Sequence, residues 1–334
     1  MNVMNTETRI VMPLVNGNRL APKAHPELLS KGIIGQQKAC KKLVFYVESN
    51  TPKTPFPTLL FTGSQGLGKS YLAAKVARAL GRKMVEVNCG APDIQKSKDF
   101  IEKILMGRVL GSDQVTLFLD EAHKLSSEVT TLLLSFLNPN PENKNLVSNK
   151  HYDIEFDFSK INVILATTDA YRIFKPLRDR CEDVYFHCYS DEELYTIVSH
   201  YLPDIKLQKL YWKELAQACR GRARDAFLLA QNIRRYCAMK KTSILKSLGW
   251  DELKTIFEIY PEGLNDQEID LLRVLADNSP ISCHNIAIRM GVNTRNIEED
   301  IEIRLKEIGF IRSTPKGRVL TEEGVEYLQR VGIG

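Results

Sequence analysis

Short continuous apolar runs, separated by longer amphipathic stretches, set the character of the first half of the chain. Residues 58–61 (TLLF), 84–89 (MVEVNC), 115–119 (VTLFL) and 161–166 (INVILA) are four such runs. MVEVNC alternates in the manner of a half-exposed strand. VTLFL and INVILA are apolar nearly throughout, the pattern of strands buried on both faces of a parallel sheet. Between them the period lengthens to that of a helix. Ala39, Leu43 and Val47 share one face of a segment spanning 37–49, and an alanine-rich segment follows at 69–80. Residues 96–110 and 127–137 also read as helical. Strands alternating with helices at this density predict an α/β domain of three layers around a parallel sheet. The polar stretch 138–157, with Pro139, Pro141 and alternation from Tyr152 to Phe156, predicts a protruding hairpin.

The second half changes character. From 191 to 257 the period is helical throughout, which predicts a small all-α domain. After a break at 263–265, three short helices are predicted at 266–277, 282–290 and 294–308. Two strands then flank Pro315-Lys316-Gly317-Arg318, a turn sequence. Three helices and a ribbon make a winged helix-turn-helix. Residues 1–30 have no periodicity and contain Pro13, Pro22 and Pro26, as in an extended arm. The chain therefore divides into an arm (1–20), a large α/β domain (21–188), a helical domain (189–257) and a winged helix (258–334).

The first strand runs into LLFTGSQGLGKS, residues 59–70, in which Gly63 is followed at the spacing G-x-x-x-x-G-K-[ST] by Gly68-Lys69-Ser70. Gly63, Gly66 and Gly68 let successive N–H groups converge on one anion, Lys69 reaches phosphate oxygens, and the Ser70 hydroxyl ligates Mg²⁺. The helix behind adds the positive end of its dipole. Tyr71 follows directly. Asp120 and Glu121 end the apolar run at 115–119, where open α/β sheets place their ligands. There Asp120 would hold the metal's water shell and Glu121 would orient the attacking water. Thr167 and Thr168 end the next strand and are candidates for holding that water or sensing the γ-phosphate. His123 has no second ligand at metal spacing and reads as an outer contact of the same site.

Two arginines stay open on pattern alone. Arg180, in PLRDRC, is a candidate for an arginine supplied in trans to a neighbour's γ-phosphate; the alternative is a surface pair with Asp179 or Glu182. Arg224, in GRARDA, either reaches back over the nucleotide or faces solvent. Trp212 and Trp250 read as core.

Charge separates the last domain from the rest. The net charge is +5 over 334 residues, yet residues 257–334 hold 9 basic and 14 acidic side chains. Within this acidic background Arg312, Lys316 and Arg318 gather on the wing, which favours contact with nucleic-acid phosphate over a merely solvated turn. Arg295 is a further candidate, although Glu298, Glu299, Asp300 and Glu302 argue against its helix lying deep along a phosphate wall. The seven cysteines are scattered, with no C-x-x-C pair, so reduced thiols are expected and a structural metal is not. There is no signal-peptide pattern and no apolar run of membrane-spanning length. A cytoplasmic protein is expected, bacterial or, if phage-encoded, in the host.

In order along the chain, IIGQQ (33–37), GLGKS (66–70), FLDEAHKL (118–125), ATT (166–168), PLRDR (176–180), YSDEEL (189–194), RGRAR (220–224), EGLNDQEIDLLR (262–273) and IGFIRSTPKGRVLT (308–321) resemble the RuvB family. These are hexameric AAA+ motors of Holliday-junction branch migration, and the resemblance runs from about residue 20 to 328. It implies ATP and Mg²⁺ as cofactors, a homo-hexamer around double-stranded or four-way junction DNA, Arg180 as the trans finger, Arg224 as the second sensor, Thr167 and Thr168 as the first, and Tyr189 beside the nucleotide. Leu20 and Ile34 would flank the adenine.

The departures from the family are Ala21, Asn138-Pro139, Thr294 and Ser313, each standing where the family has a charged residue. The stretch 138–151, matching the hairpin that docks on RuvA, is mostly polar here. A divergent homologue, phage-borne or cellular, with a loader other than RuvA has this pattern. A clamp-loader subunit shares ATTDA and PLRDRC but ends in a helical collar. A DEAH-box helicase shares residues 120–123 but needs two RecA-like lobes. A winged-helix regulator with a degenerate ATPase would not keep Lys69, Ser70, Asp120, Glu121 and Arg180 intact.

Overall fold

A computed structural model describes residues 24–51, 53–109, 114–137, 145–148, 153–156 and 161–332. The expected arm, Leu20, Ala21, Asn138-Pro139 and most of 138–151 lie outside these. The chain divides into two compact units, Met1–Cys188 and Tyr189–Gly334.

In the first unit α1 (Glu27–Ser30) and α2 (Gln37–Glu48) precede β1 (Leu59–Thr62), α3 (Lys69–Ala79) and β2 (Lys83–Asn88). A short α4 (Ser97–Phe100) continues into a π-helical stretch, Ile101–Val109, where the sequence predicts an ordinary helix. Next come β3 (Val115–Asp120), α5 (Ser127–Phe136), β4 (Asn145–Ser148), β5 (Asp153–Phe156), β6 (Ile161–Thr167), α6 (Lys175–Arg178) and β7 (Glu182–Tyr185). Five strands form one parallel sheet in the order β2-β3-β6-β1-β7, while β4 and β5 pair antiparallel as a separate ribbon.

Apolar patterning maps onto position in this sheet. β1, β3 and β6, the central strands, are buried almost throughout, and β2 at one edge alternates buried with exposed. Phe100, Ile104, Leu105, Val129 and Leu133 pack against the sheet from the adjoining helices. Because all five strands point the same way, their carboxyl ends form a single edge.

The second unit opens with α7 (Asp191–His200), started by a reciprocal cap in which Ser190 and Glu193 bond each other's backbone N–H. Then follow β8 (Lys206–Leu207), α8 (Trp212–Ala218), α9 (Ala223–Met239), β9 (Ile244–Leu245) and α10 (Ser247–Ile256). Trp212 and Trp250 differ in setting: Trp250 is fully buried and stacks on Tyr211, while Trp212 meets Tyr195 edge to face. The winged helix comprises α11 (Asp266–Asp277), α12 (Cys283–Met290), a third helix built from α13 (Thr294–Asn296), a π-helical turn (Ile297–Ile301) and α14 (Glu302–Glu307), the ribbon β10 (Ile311–Thr314) and β11 (Gly317–Leu320), and α15 (Glu322–Arg330).

The helical and winged parts are clamped together within this unit. Glu268 is only 1% exposed and does two jobs: its carboxylate completes the cap of α11 by accepting from the Asn265 N–H, and it pairs with the Arg220 guanidinium. Burial pushes the Glu268 carboxyl up, and Arg220 opposes that shift. Gln217 donates to Glu262 at 2.7 Å, and Gly263 lies so close to the Gln217 carbonyl that a Cβ would overlap it. Among the described residues no helix is long and apolar enough to cross a membrane.

Candidate functional site

The carboxyl edge of the sheet gathers the chemistry. β1 leads directly into the glycine loop, where Gly63, Gly66 and Gly68 have φ of 147°, 81° and 92°. A Cβ at Gly63 would lie 2.6 Å from the Phe186 carbonyl oxygen, so the loop's first bend requires glycine. Lys69 is 7% exposed and its Nζ donates to the Gly63 and Ser64 carbonyls at 2.7 and 2.8 Å, which arches it over the loop. Ser70 stands beside it in the first turn of α3. Convergent N–H groups, a helix N-terminus, an ammonium and a hydroxyl fit a polyphosphate chain. The hard oxygen donors of Ser70 and Asp120 fit the Mg²⁺ that accompanies it.

β6 lies between β1 and β3, and the registers Thr62↔Thr167 and Leu119↔Leu165 place Thr167 level with both the phosphate loop and Glu121. Asp120 accepts from the Glu121 N–H at 3.0 Å, and Glu121 has a left-handed φ of 55°. That turn brings Glu121 back beside its own segment, 3.5 Å from His123 Nε2 and 3.7 Å from Lys124 Nζ. His123 Nδ1 meets the Thr167 hydroxyl at 3.0 Å, and the same hydroxyl accepts from the Asp169 N–H at 3.0 Å. Burial of the imidazole pushes its pKa down, with Glu121 opposing, which keeps the ring neutral near pH 7.

Hydrogen-bond economy then sets one direction along the chain. The Glu121 carboxylate can only accept, so the tautomer that serves both ring nitrogens keeps its proton on Nε2, toward Glu121, and takes the Thr167 hydroxyl proton at Nδ1. Of the two threonines, Thr167 is thus committed to His123, while Thr168 is exposed at the bend beyond β6. His123→Ala is expected to lower kcat about 10²-fold by letting the carboxylate drift, with ATP affinity unchanged. An unchanged kcat in steady-state assays would show that His123 does not position Glu121.

Arg180 lies at the opposite end. The Glu182 N–H bonds the Thr58 carbonyl, so β7 begins level with the start of β1, and Arg180 precedes even that. Its guanidinium is exposed and donates to the Pro176 carbonyl at 2.7 Å, not to Asp179 or Glu182. Ile34 is half-buried. Its neighbour Gln36, for which the sequence pattern suggests no role, holds both the His187 carbonyl (2.7 Å) and N–H (3.1 Å) through its side-chain amide. Tyr71 is exposed, with Lys75 over its ring.

Two expected site residues belong to the second unit. The Tyr189 N–H bonds the Gly221 carbonyl at 3.0 Å. Arg224 is exposed in the first turn of α9, next to the positive end of the helix dipole.

In the wing the structure corrects one expectation. Arg318 is turned inward at 17% exposure, bonding Glu302 at 2.8 and 3.0 Å and Glu298 at 3.0 Å. Glu302 also takes Lys306. Burial pushes the Glu302 carboxyl up, but these two cations hold it below the usual carboxylate range, and the carboxylates raise Arg318 in turn. Arg318 therefore fastens the ribbon to the third helix and is not available to a phosphate. Arg312 and Lys316 are exposed. Arg295 is exposed too, but pairs with Glu299 at 3.0 Å.

Comparison with known proteins places both units. Residues 59–189 match the family of ATPases associated with various cellular activities (AAA), and residues 261–329 match the RuvB C-terminal winged helix domain. The chain is 30% identical over 318 residues to the Holliday junction branch migration complex subunit RuvB of Prochlorococcus marinus, covering 89% of this chain and 85% of that protein. It is 29% identical over 344 residues to the corresponding subunit of Clostridium kluyveri, covering 97% and 93%. Among solved structures, the RuvB Holliday junction branch migration motor of Thermotoga maritima superposes with a TM-score of 0.72 at 25% identity, over 92% of this chain and 98% of that one. A mutant of the same protein gives 0.74 at 24% identity, over 93% and 99%.

Proposed function

Since this chain belongs to the RuvB family of AAA+ ATPases, we propose that it is an ATP-driven motor which draws duplex DNA through a closed hexamer and drives branch migration of four-way junctions in recombination and repair. The observation that carries this reading is the separation of Arg180 from the phosphate loop of its own chain. From Thr58 to Gly63 a strand climbs about 16 Å at the usual rise, and Arg180 lies below its foot. An arginine so placed serves a γ-phosphate only across a head-to-tail subunit interface, and head-to-tail interfaces form rings where the rotation between subunits closes.

Bound Mg²⁺–ATP supplies the scissile phosphoanhydride and a divalent charge at the developing oxyanion. The loop amides, Lys69 and Ser70 hold the polyphosphate and its metal. Asp120 supports the metal's water shell. Glu121, steadied by His123, orients and polarises the attacking water, and Arg180 of the neighbouring copy meets the charge on the transferred group. Arg224 and Tyr189 read the nucleotide from the helical domain. A cation at the positive end of a helix is disfavoured on its own account, so a phosphate partner for Arg224 offsets that cost. Arg220, in the turn before α9, pairs with Glu268 of the winged helix, which joins the helical and winged parts within one unit. The clamp-loader reading has no collar to rest on, because a winged helix occupies the C-terminal region.

The test is a synthetic four-way junction incubated with the protein and ATP, with and without a RuvA-like protein. ATP-dependent conversion of the junction into duplex arms is expected. Absence of both DNA-stimulated ATP turnover and junction conversion, under either condition, sinks the reading.

A further inference from the structure

The nine basic residues between 257 and 334 are not equivalent. Six pair with carboxylates: Arg273, Arg295, Arg304, Lys306, Arg318 and Arg330. Arg289, Arg312 and Lys316 pair with no carboxylate among the described residues. In a stretch whose net charge is negative, cations without a carboxylate partner are the ones free to meet a foreign anion.

Arg289 and Lys316 line one cleft of about 530 Å³, between α12 and the tip of the wing. Asn278, Ser282, Asn285 and Ile288 line it with them, and no carboxylate does. The cleft is held open by its surroundings. Ile281 and Arg318 exchange two backbone hydrogen bonds at 2.8 and 3.1 Å, a single antiparallel bridge that ties the segment before α12 to the ribbon. Gly317, at φ 132°, presses so closely on the Ile281 carbonyl that a Cβ would overlap it. On the other side Glu298 and Glu302 hold the Arg318 guanidinium. The turn bearing Lys316 is thereby fixed beside the start of α12. Across the cleft, Arg289 is oriented by the Asn278 side chain at 3.2 Å. Ile288, 64% exposed, adds an apolar patch to the same cleft.

The third helix, which in a winged helix-turn-helix ordinarily enters the groove of DNA, has the opposite character. It offers no cation without a carboxylate partner, since Arg295 pairs with Glu299, Arg304 with Glu307 and Lys306 with Glu302, and of its acidic run Glu299 and Asp300 remain outside the Arg318 cluster that takes up Glu298 and Glu302.

We propose that this domain grips the phosphodiester backbone of duplex DNA in the cleft between α12 and the wing, through Arg289 and Lys316 with Asn285 as a polar contact, and that its third helix stays off the DNA. This rests on the reading of the protein as a duplex-DNA motor and names the surface that serves it. Two cations in a polar cleft with an apolar patch and no carboxylate suit a phosphodiester backbone, a sequence-independent grip of the kind a translocating motor needs.

The experiment is duplex binding by the full-length protein across a salt series, for the wild type, Arg289→Ala/Lys316→Ala, the charge reversal Lys316→Glu, and Arg295→Ala, with melting midpoints confirming that each variant is folded. Removing one phosphate-bound cation lowers the slope of log K against log salt by about 0.9, so the double variant is expected to lose close to 2 in slope and Lys316→Glu at least about 1. Arg295→Ala is expected to keep the wild-type slope. A double variant with an unchanged slope, or an Arg295→Ala variant that loses as much, overturns the cleft while leaving the motor reading intact. Displacement of labelled duplex by a polyglutamate peptide as readily as by unlabelled duplex of equal charge assigns the cleft to an acidic protein partner and overturns it as well. A wild type that binds no duplex at any salt removes the motor reading and the cleft together.

Discussion

Arg180→Ala is expected to lower ATP turnover by about 10³-fold or more while the protein still binds ATP, and to do so without touching any residue of its own phosphate loop. The argument is one of register. β7 pairs with β1 in parallel, Glu182 beside Leu59 and Tyr185 beside Thr62, so the segment before β7 is confined to the amino edge of the sheet. The phosphate loop, Asp120 and Glu121 all occupy the carboxyl edge. A side chain of arginine's reach does not span the strands between. The loss of rate therefore reports a site completed by a second copy, and mixing makes that visible. Neither Arg180→Ala nor Glu121→Gln subunits turn over alone. At equal random mixing, roughly a quarter of head-to-tail interfaces pair an intact Glu121 with an intact Arg180, and activity returns accordingly. An Arg180→Ala protein that hydrolyses ATP at the wild-type rate, or a mixture as inactive as its components, removes the shared site.

How much of this is legible in the sequence depends on which physical signal each feature leaves there. The central strands announce themselves because burial on both faces demands unbroken apolar residues, and β1, β3 and β6 are indeed the strands interior to the sheet. β7 leaves no such mark. It is an edge strand of four residues, Glu-Asp-Val-Tyr, with only Val184 buried, and its pairing rather than its composition makes it a strand. The phosphate loop and the Asp120–Glu121 pair are readable because their chemistry is carried by local spacing.

Arg318 is misread from sequence for the complementary reason. Its charge is visible there, but whether a ribbon side chain faces a phosphate or a carboxylate depends on which face of the ribbon meets the third helix. Glu298 and Glu302 decide that from twenty and sixteen residues away. The acidic run, read from sequence as a surface hostile to DNA, is in part the ribbon's internal counter-charge. Arg220 and Glu268 form a similar case: each lies in a recognisable motif, and only the packing of the helical part against the winged helix shows that they are partners. Gln36 leaves no signal beyond its place in IIGQQ, because an amide that clamps a distant backbone segment has no spacing rule to follow.

Glu121→Gln is expected to reduce turnover by about 10³-fold and leave the protein charged with ATP, because it removes basicity and keeps shape. The carboxylate's position is unusually determined for a side chain at the end of a strand. Its backbone is held left-handed at φ 55°, which costs energy for a residue with a Cβ and persists because the surroundings specify it. The neighbouring Asp120 takes the Glu121 N–H, and the buried, neutral imidazole of His123 points a proton at its oxygen. Glutamine has the same length and still accepts from Nε2, so loop, metal ligands and hydrogen bonds survive and ATP binding with them. What goes is the negative charge that polarises water. Asp120→Asn differs in kind: it weakens the metal's shell, so its defect shows as a raised requirement for Mg²⁺ and eases as Mg²⁺ is increased, whereas no concentration of Mg²⁺ or ATP rescues Glu121→Gln. Turnover of the glutamine variant within about tenfold of the wild type would mean that water is activated by some other group, and the chain from Thr167 through His123 to Glu121 would then be architecture without a catalytic end.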